Sequence, residues 1–116
     1  LPHYDGIQGR SLAPTLDDPS TAVRNHVLIE DDLPAALAAL APIPEKTRTV
    51  IGADGIKYTR HSSGDEQLFD LTHDVDEVAP IHHLDSERRG QAVDLLADAL
   101  MAADDSSRGT TVTATR

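Results

Sequence analysis

Lys57, Arg60 and His61 are the side chains whose types and spacing come nearest to a site. They gather cationic groups in a chain whose ten Lys and Arg stand against 20 Asp and Glu, a formal charge of −10. Such a cluster could face the anionic group of a substrate held by a neighbouring domain, or it could balance local carboxylates. Both readings stand at this level. On an extended strand Lys57 and His61 share one face and Arg60 takes the other. His61, Ser62, Ser63 and Asp65 contain the residue types of a hydrolytic triad. Neighbours on one turn do not supply that geometry, which needs support from several elements. No catalytic residue is assigned.

Six histidines raise the question of a metal. His73, His82 and His83 lie near Asp70, Asp74 and Asp76, but structural zinc sites use better-spaced ligands. Asp74-Val75-Asp76-Glu77 hints at calcium, yet the calcium loop's central glycine is missing, since Ala79 stands at that position. The expectation is solvated loop histidines, an acidic turn ahead of a helix, and no metal site or cofactor in this chain. Asp85, Ser86 and Glu87 would then sit at the positive end of that helix dipole. The chain has no cysteine, so it offers neither disulfide nor thiolate and leaves the redox compartment open.

The elements that must position these groups can be read from periodicity. Residues 1–9 read as loop, and Ser11 is a candidate cap for a helical turn through Leu12 and Leu16. The run 25–30 is short, branched and apolar at its centre, as a strand requires. Residues 33–41 form an alanine-rich stretch that fits a short helix or an inserted loop, closed by Pro42 and Pro44. Residues 46–51 and 56–61 flank Asp54-Gly55, the strongest hairpin signal in the chain. A second turn at 62–65 leads into 66–71, where Gln67, Phe69 and Leu71 share a face and Leu68 points the other way. Residues 72–84 are acidic and irregular. From Ser86 to Asp104, the residues Ala92, Leu95, Leu96, Ala99, Leu100 and Ala103 draw one stripe on a helix, with Asp94 and Asp98 off it. Residues 105–116 are rich in Ser, Thr and Gly, and disorder is expected there.

The predicted fold is α+β: a small antiparallel sheet of three to four strands packed against one C-terminal helix, spanning residues 1–104. With only two Tyr, one Phe and no Trp, its core must be aliphatic. The other sheet face mixes polar and apolar residues, and it is either solvated or rests on another domain. The acidic charge disfavours nucleic acid and anionic membrane surfaces as partners. No apolar run approaches the roughly 20 residues of a membrane span. The opening Leu1-Pro2-His3-Tyr4-Asp5 shows no signal peptide and no initiator Met, so a processed or excised segment is expected.

Taken in order, these segments resemble the C-terminal end of sulfatases, within the alkaline phosphatase superfamily. Gly6-Ile7-Gln8-Gly9-Arg10-Ser11-Leu12-Ala13-Pro14-Thr15-Leu16 looks like the stretch that leaves the large domain of that family, and residues 23–30 look like the strand that follows. Tyr58-Thr59-Arg60-His61, then Glu66-Gln67-Leu68-Phe69-Asp70-Leu71, then Asp74 to Glu77, resemble a tyrosine-bearing strand, an "E-x-L-[FY]-D-L" strand and a "D-P-x-E" turn. Val75 departs from the usual proline, Val78-Ala79-Pro80 replaces the usual asparagine-leucine, and residues 33–44 have no counterpart. The resemblance implies a parent enzyme that hydrolyses sulfuric esters with a formylglycine and a calcium ion, both held by an N-terminal catalytic domain. That domain is the partner it implies for this chain. The formylglycine motif "[CS]-x-P-x-R" is absent here: no cysteine exists, and no serine has Pro two and Arg four positions on. The alternative is a free-standing acidic module that binds a protein through its open sheet face or edge strand.

Overall fold

The computed structural model describes residues 9–32, Leu37 and residues 46–107. Four strands, β1 (His26–Asp32), β2 (Lys46–Gly52), β3 (Ile56–His61) and β4 (Glu66–Asp70), pair antiparallel in the order β1-β2-β3-β4. A short helix α1 (Ala13–Asp17) precedes the sheet, and a long helix α2 (Ser86–Ser107) follows it. The α+β architecture expected from the sequence is therefore the one found. Strand β1 runs to Asp32, past the expected end at Glu30, because Asp31 and Asp32 continue the ladder opposite Thr47 and Lys46. Helix α2 continues to Ser107, past the expected end at Asp104. The expectations for residues 1–8, 33–36, 38–45 and 108–116 fall outside the described residues.

Local chemistry explains the turns. Between β2 and β3 the Gly55 N–H donates to the Gly52 carbonyl at 3.0 Å, and Asp54 Oδ1 accepts the Ile56 N–H at 3.1 Å. Gly55 has φ +81°, the left-handed conformation such a three-residue loop places before its second strand. Gly64 fills the same need between β3 and β4, with φ +100° and its N–H on the His61 carbonyl. At α1, Ser11 Oγ accepts the Ala13 N–H, while Leu12 holds the cap position itself. That helix buries none of its residues.

Because side chains alternate along a strand, the register sorts the sheet into two faces. Leu28, Val50, Tyr58 and Leu68 form a row across one face, with Ile56 beside it. Helix α2 covers this row with Ala92, Leu96 and Ala99, and Leu95, Leu100 and Val93 pack around them. The small Ala92 and Ala99 let the helix approach the sheet; at Gly52 an added Cβ would already stand 3.3 Å from Leu95. Tyr58 is 2% exposed and Leu68 fully buried. The second face carries Val27, Ile51, Lys57 and Phe69 in one row, and Ile29, Thr49, Thr59 and Gln67 in the next. Thr49 and Thr59 are buried and share a hydroxyl hydrogen bond of 2.8 Å. Phe69 is buried too, yet stands outside the cluster beneath the helix. Val27 and Ile29, towards the β1 edge, are 50% and 45% exposed.

The connection 71–85 joins the two faces. On the second face Glu77 meets Lys57. The chain then passes the outer edge of β4, where the Ile81 N–H donates to the Leu68 carbonyl at 2.7 Å, and Ile81 packs against the helix-side core. Asp85 caps α2 by accepting the Arg88 N–H at 2.9 Å.

Candidate functional site

The sheet register settles the arrangement of the cationic cluster. Lys57 lies on the second face between Ile51 and Phe69, and both Glu77 carboxylate oxygens hold its Nζ, at 2.7 and 2.9 Å. Glu77 reaches it from a left-handed backbone, φ +56°, the one non-glycine residue with positive φ among the described residues. Arg60 lies on the helix face, opposite Arg48 on one side and Glu66 on the other. Glu30, Arg48, Arg60 and Glu66 form one row of charges in which Arg48 bonds Glu30 at 3.0 Å and Arg60 approaches Glu66 at 3.8 Å. His61 is on the second face, at the far end of β3. The structure thus divides Lys57, Arg60 and His61 between two faces and gives Lys57 and Arg60 carboxylate neighbours of their own.

The serines of the 62–65 turn serve the backbone. Ser62 Oγ accepts the Lys46 N–H, and Ser63 Oγ accepts the Asp65 N–H. The acidic run before α2 is spent likewise. Asp74 accepts the N–H groups of Val78 and Ala79 at 3.0 and 2.9 Å, which hold its carboxyl below the usual carboxylate range. Calcium needs several oxygens free to converge. Here Asp74 and Glu77 are committed elsewhere, and no group of three His, Asp or Glu converges as metal ligands among the described residues. Asp74 and Glu77 are therefore not disposed as calcium ligands.

Two buried-edge carboxylates organise the helix–sheet contact instead. Asp70 takes hydrogen bonds from Thr72, His73 and Arg88; the Thr72 hydroxyl, then the Arg88 guanidinium, hold its carboxyl well below the usual range. Glu66 accepts Arg89 Nε at 2.7 Å and the Tyr58 hydroxyl at 2.8 Å, and Arg89 first, then Tyr58, lowers it. Burial, then the Glu66 carboxylate, pushes the Tyr58 phenol up.

His82 and His83 do not join His73, as the sequence grouping had them. Their ring centroids are 3.7 Å apart, and they line an open cleft of about 570 Å³ together with His61, Gln67 and Pro80. His82 Nδ1 is buried and finds no hydrogen-bond partner among the described residues. Gly64, Asp65 and Glu66 complete its lining among the described residues. Its imidazole, carboxylate and amide groups can hold a polar group. The sequence signal for this grouping was the β3–β4 hairpin register, which brings Gln67 close to His61 while the 80–83 loop follows the β4 edge.

Comparisons with family models, with curated proteins and with solved structures return no match for this chain.

Proposed function

We propose that the chain is the C-terminal subdomain of a sulfatase-like hydrolase: a packing unit that completes a catalytic domain and is inactive alone. One observation carries the proposal. Three of the five stretches that bear the family resemblance are neighbours in space, and side-chain bonds join them. The tyrosine strand is β3, the "E-x-L-[FY]-D-L" strand is β4, and the stretch likened to the "D-P-x-E" turn, with Val75 in place of its proline, is the Asp74–Glu77 loop. Tyr58 to Glu66 joins the first two, and Lys57 to Glu77 joins the first to the third. Tyr58, Glu66, Asp74 and Glu77 each hold a specific bond within the fold, as scaffold residues would.

The test is the coding sequence ahead of Leu1, together with an assay. The proposal expects a "[CS]-x-P-x-R" motif on the same polypeptide and no aryl sulfate hydrolysis by the purified 116-residue chain. Turnover by this chain, or an upstream sequence without that motif, would overturn it. A second reading, a free-standing acidic binding module, draws on the outer edge of β1; it expects a start codon immediately before Leu1.

A further inference from the structure

We infer that the outer edge of β1 pairs antiparallel with β1 of a second copy, centred on Leu28, to give one continuous eight-stranded sheet. The inference does not depend on the sulfatase reading. Strand β1 ends the sheet order, and no described strand lies along its outer side. Natural sheets blunt such edges with Pro, Lys, bulges or short strands. Strand β1 has no Pro, Lys or bulge, and its charges, Glu30-Asp31-Asp32, are confined to one end, leaving His26 to Ile29 without a carboxylate along an edge that pairs with β2 in unbroken register. Its outward backbone N–H and C=O groups are a template for another strand.

Charge and shape select the partner and the register. A two-fold axis normal to the sheet sets residues of the same face opposite each other, so only registers of even sum are allowed. Centred on Leu28, Leu28 faces its own copy and extends the helix-side row that runs through Val50 and Tyr58. Val27 faces Ile29, so the two half-exposed apolar side chains of the second face cover each other across the junction. His26 faces Glu30, a donor against a carboxylate. Centring on Ile29 instead would set Val27 against Asp31 and Leu28 against Glu30. Centring on Glu30 would set like charges face to face. A parallel pairing would align the two acidic ends. Of these pairings, the one centred on Leu28 satisfies both the apolar and the charged positions.

The absence of cysteine makes the register directly readable. Val27→Cys and Ile29→Cys chains, mixed and oxidised, are expected to cross-link to each other several-fold more than either does to itself, since opposed residues lie within disulfide reach and diagonal ones do not. Light scattering of the unmodified chain should show a mass that doubles as concentration rises. Amide exchange in β1 should slow over the same range. Ile29→Lys should hold the chain at monomer mass while its thermal melt at low concentration stays unchanged. A mass that remains monomeric up to the solubility limit overturns the inference. So does cross-linking dominated by like pairs, and so does protection of the β1 amides that is independent of concentration, which would show the chain's own residues on that edge.

Discussion

Phe69 and Leu68 are adjacent in sequence and lie on opposite faces of β4, and that pair provides the sharpest test of the packing. Leu68 belongs to the cluster beneath α2; Phe69 is 6% exposed on the side the helix does not touch. Were the second face bare, Phe69→Ala would remove a side chain already in water and cost well under about 1 kcal/mol, as surface substitutions do. Buried as it is, the same change deletes a ring and leaves a void, costing about 3–4 kcal/mol, the lower part of the usual Phe→Ala range. Leu68→Ala should cost about 2–5 kcal/mol. For a domain near this size each kcal/mol moves the melting temperature by about 4 °C, so Phe69→Ala should lower Tm by about 12–16 °C. The assay is a circular dichroism melt at 222 nm, paired with urea titration to check that the slope is unchanged. Val27→Ala, half-exposed on the same face, is the internal control and should move Tm by only a few degrees. A Phe69→Ala melt that matches the Val27→Ala control would refute the claim that the second face is covered at β4.

Gly55→Ala forces a side chain into a left-handed conformation and brings its Cβ to 2.7 Å from Thr72 Cγ2; a loss of about 2 kcal/mol is expected by chemical denaturation. Asp70, Glu66, Asp74 and Asp85 all have folded pKa values below their unfolded ones, so the stability they contribute is present above about pH 4 and is lost as pH falls below it. A pH series of melts should show that acid limb, and Asp70→Asn should shorten it while lowering Tm at neutral pH. Tyr58 is shifted upward, so its contribution holds below about pH 10 and is lost as pH rises through its folded value. Ultraviolet titration of a Tyr4→Phe chain, in which Tyr58 is the remaining tyrosine, should show ionisation delayed relative to the urea-unfolded chain.

Short-range chemistry made much of this fold legible. Asp54-Gly55 and Gly64 mark turns because so few residues accept a positive φ, and the stripe from Ala92 to Ala103 marks a helix because its period matches one face. The opposition of Leu68 to Gln67 and Phe69 followed from the strand alternation alone. Long-range partners were not legible. Asp70 with Arg88 and Glu66 with Arg89 are set by how the helix crosses the sheet, and nothing in the local sequence states that angle. Glu77 looked like one more acid in an acidic run; its role rests on a left-handed backbone that sequence does not announce in glutamate. The parity of Lys57, Arg60 and His61 could be read from the strand, but the carboxylates that Lys57 and Arg60 meet could not. The burial of Thr49 and Thr59 had no sequence signal, since threonine at alternating positions reads equally well as a solvated face.

Among the described residues, the passage of 71–85 around β4 leaves the sheet with one closed side and one open side. A molecule with two open margins can add neighbours without end and grow into a fibre. Ile81, hydrogen-bonded to the middle of β4, acts as a selvage on this one, so whatever strand joins β1 also finishes the growth. The long, smooth strand is thus tolerable in a concentrated solution: it invites one companion and then has nothing further to offer.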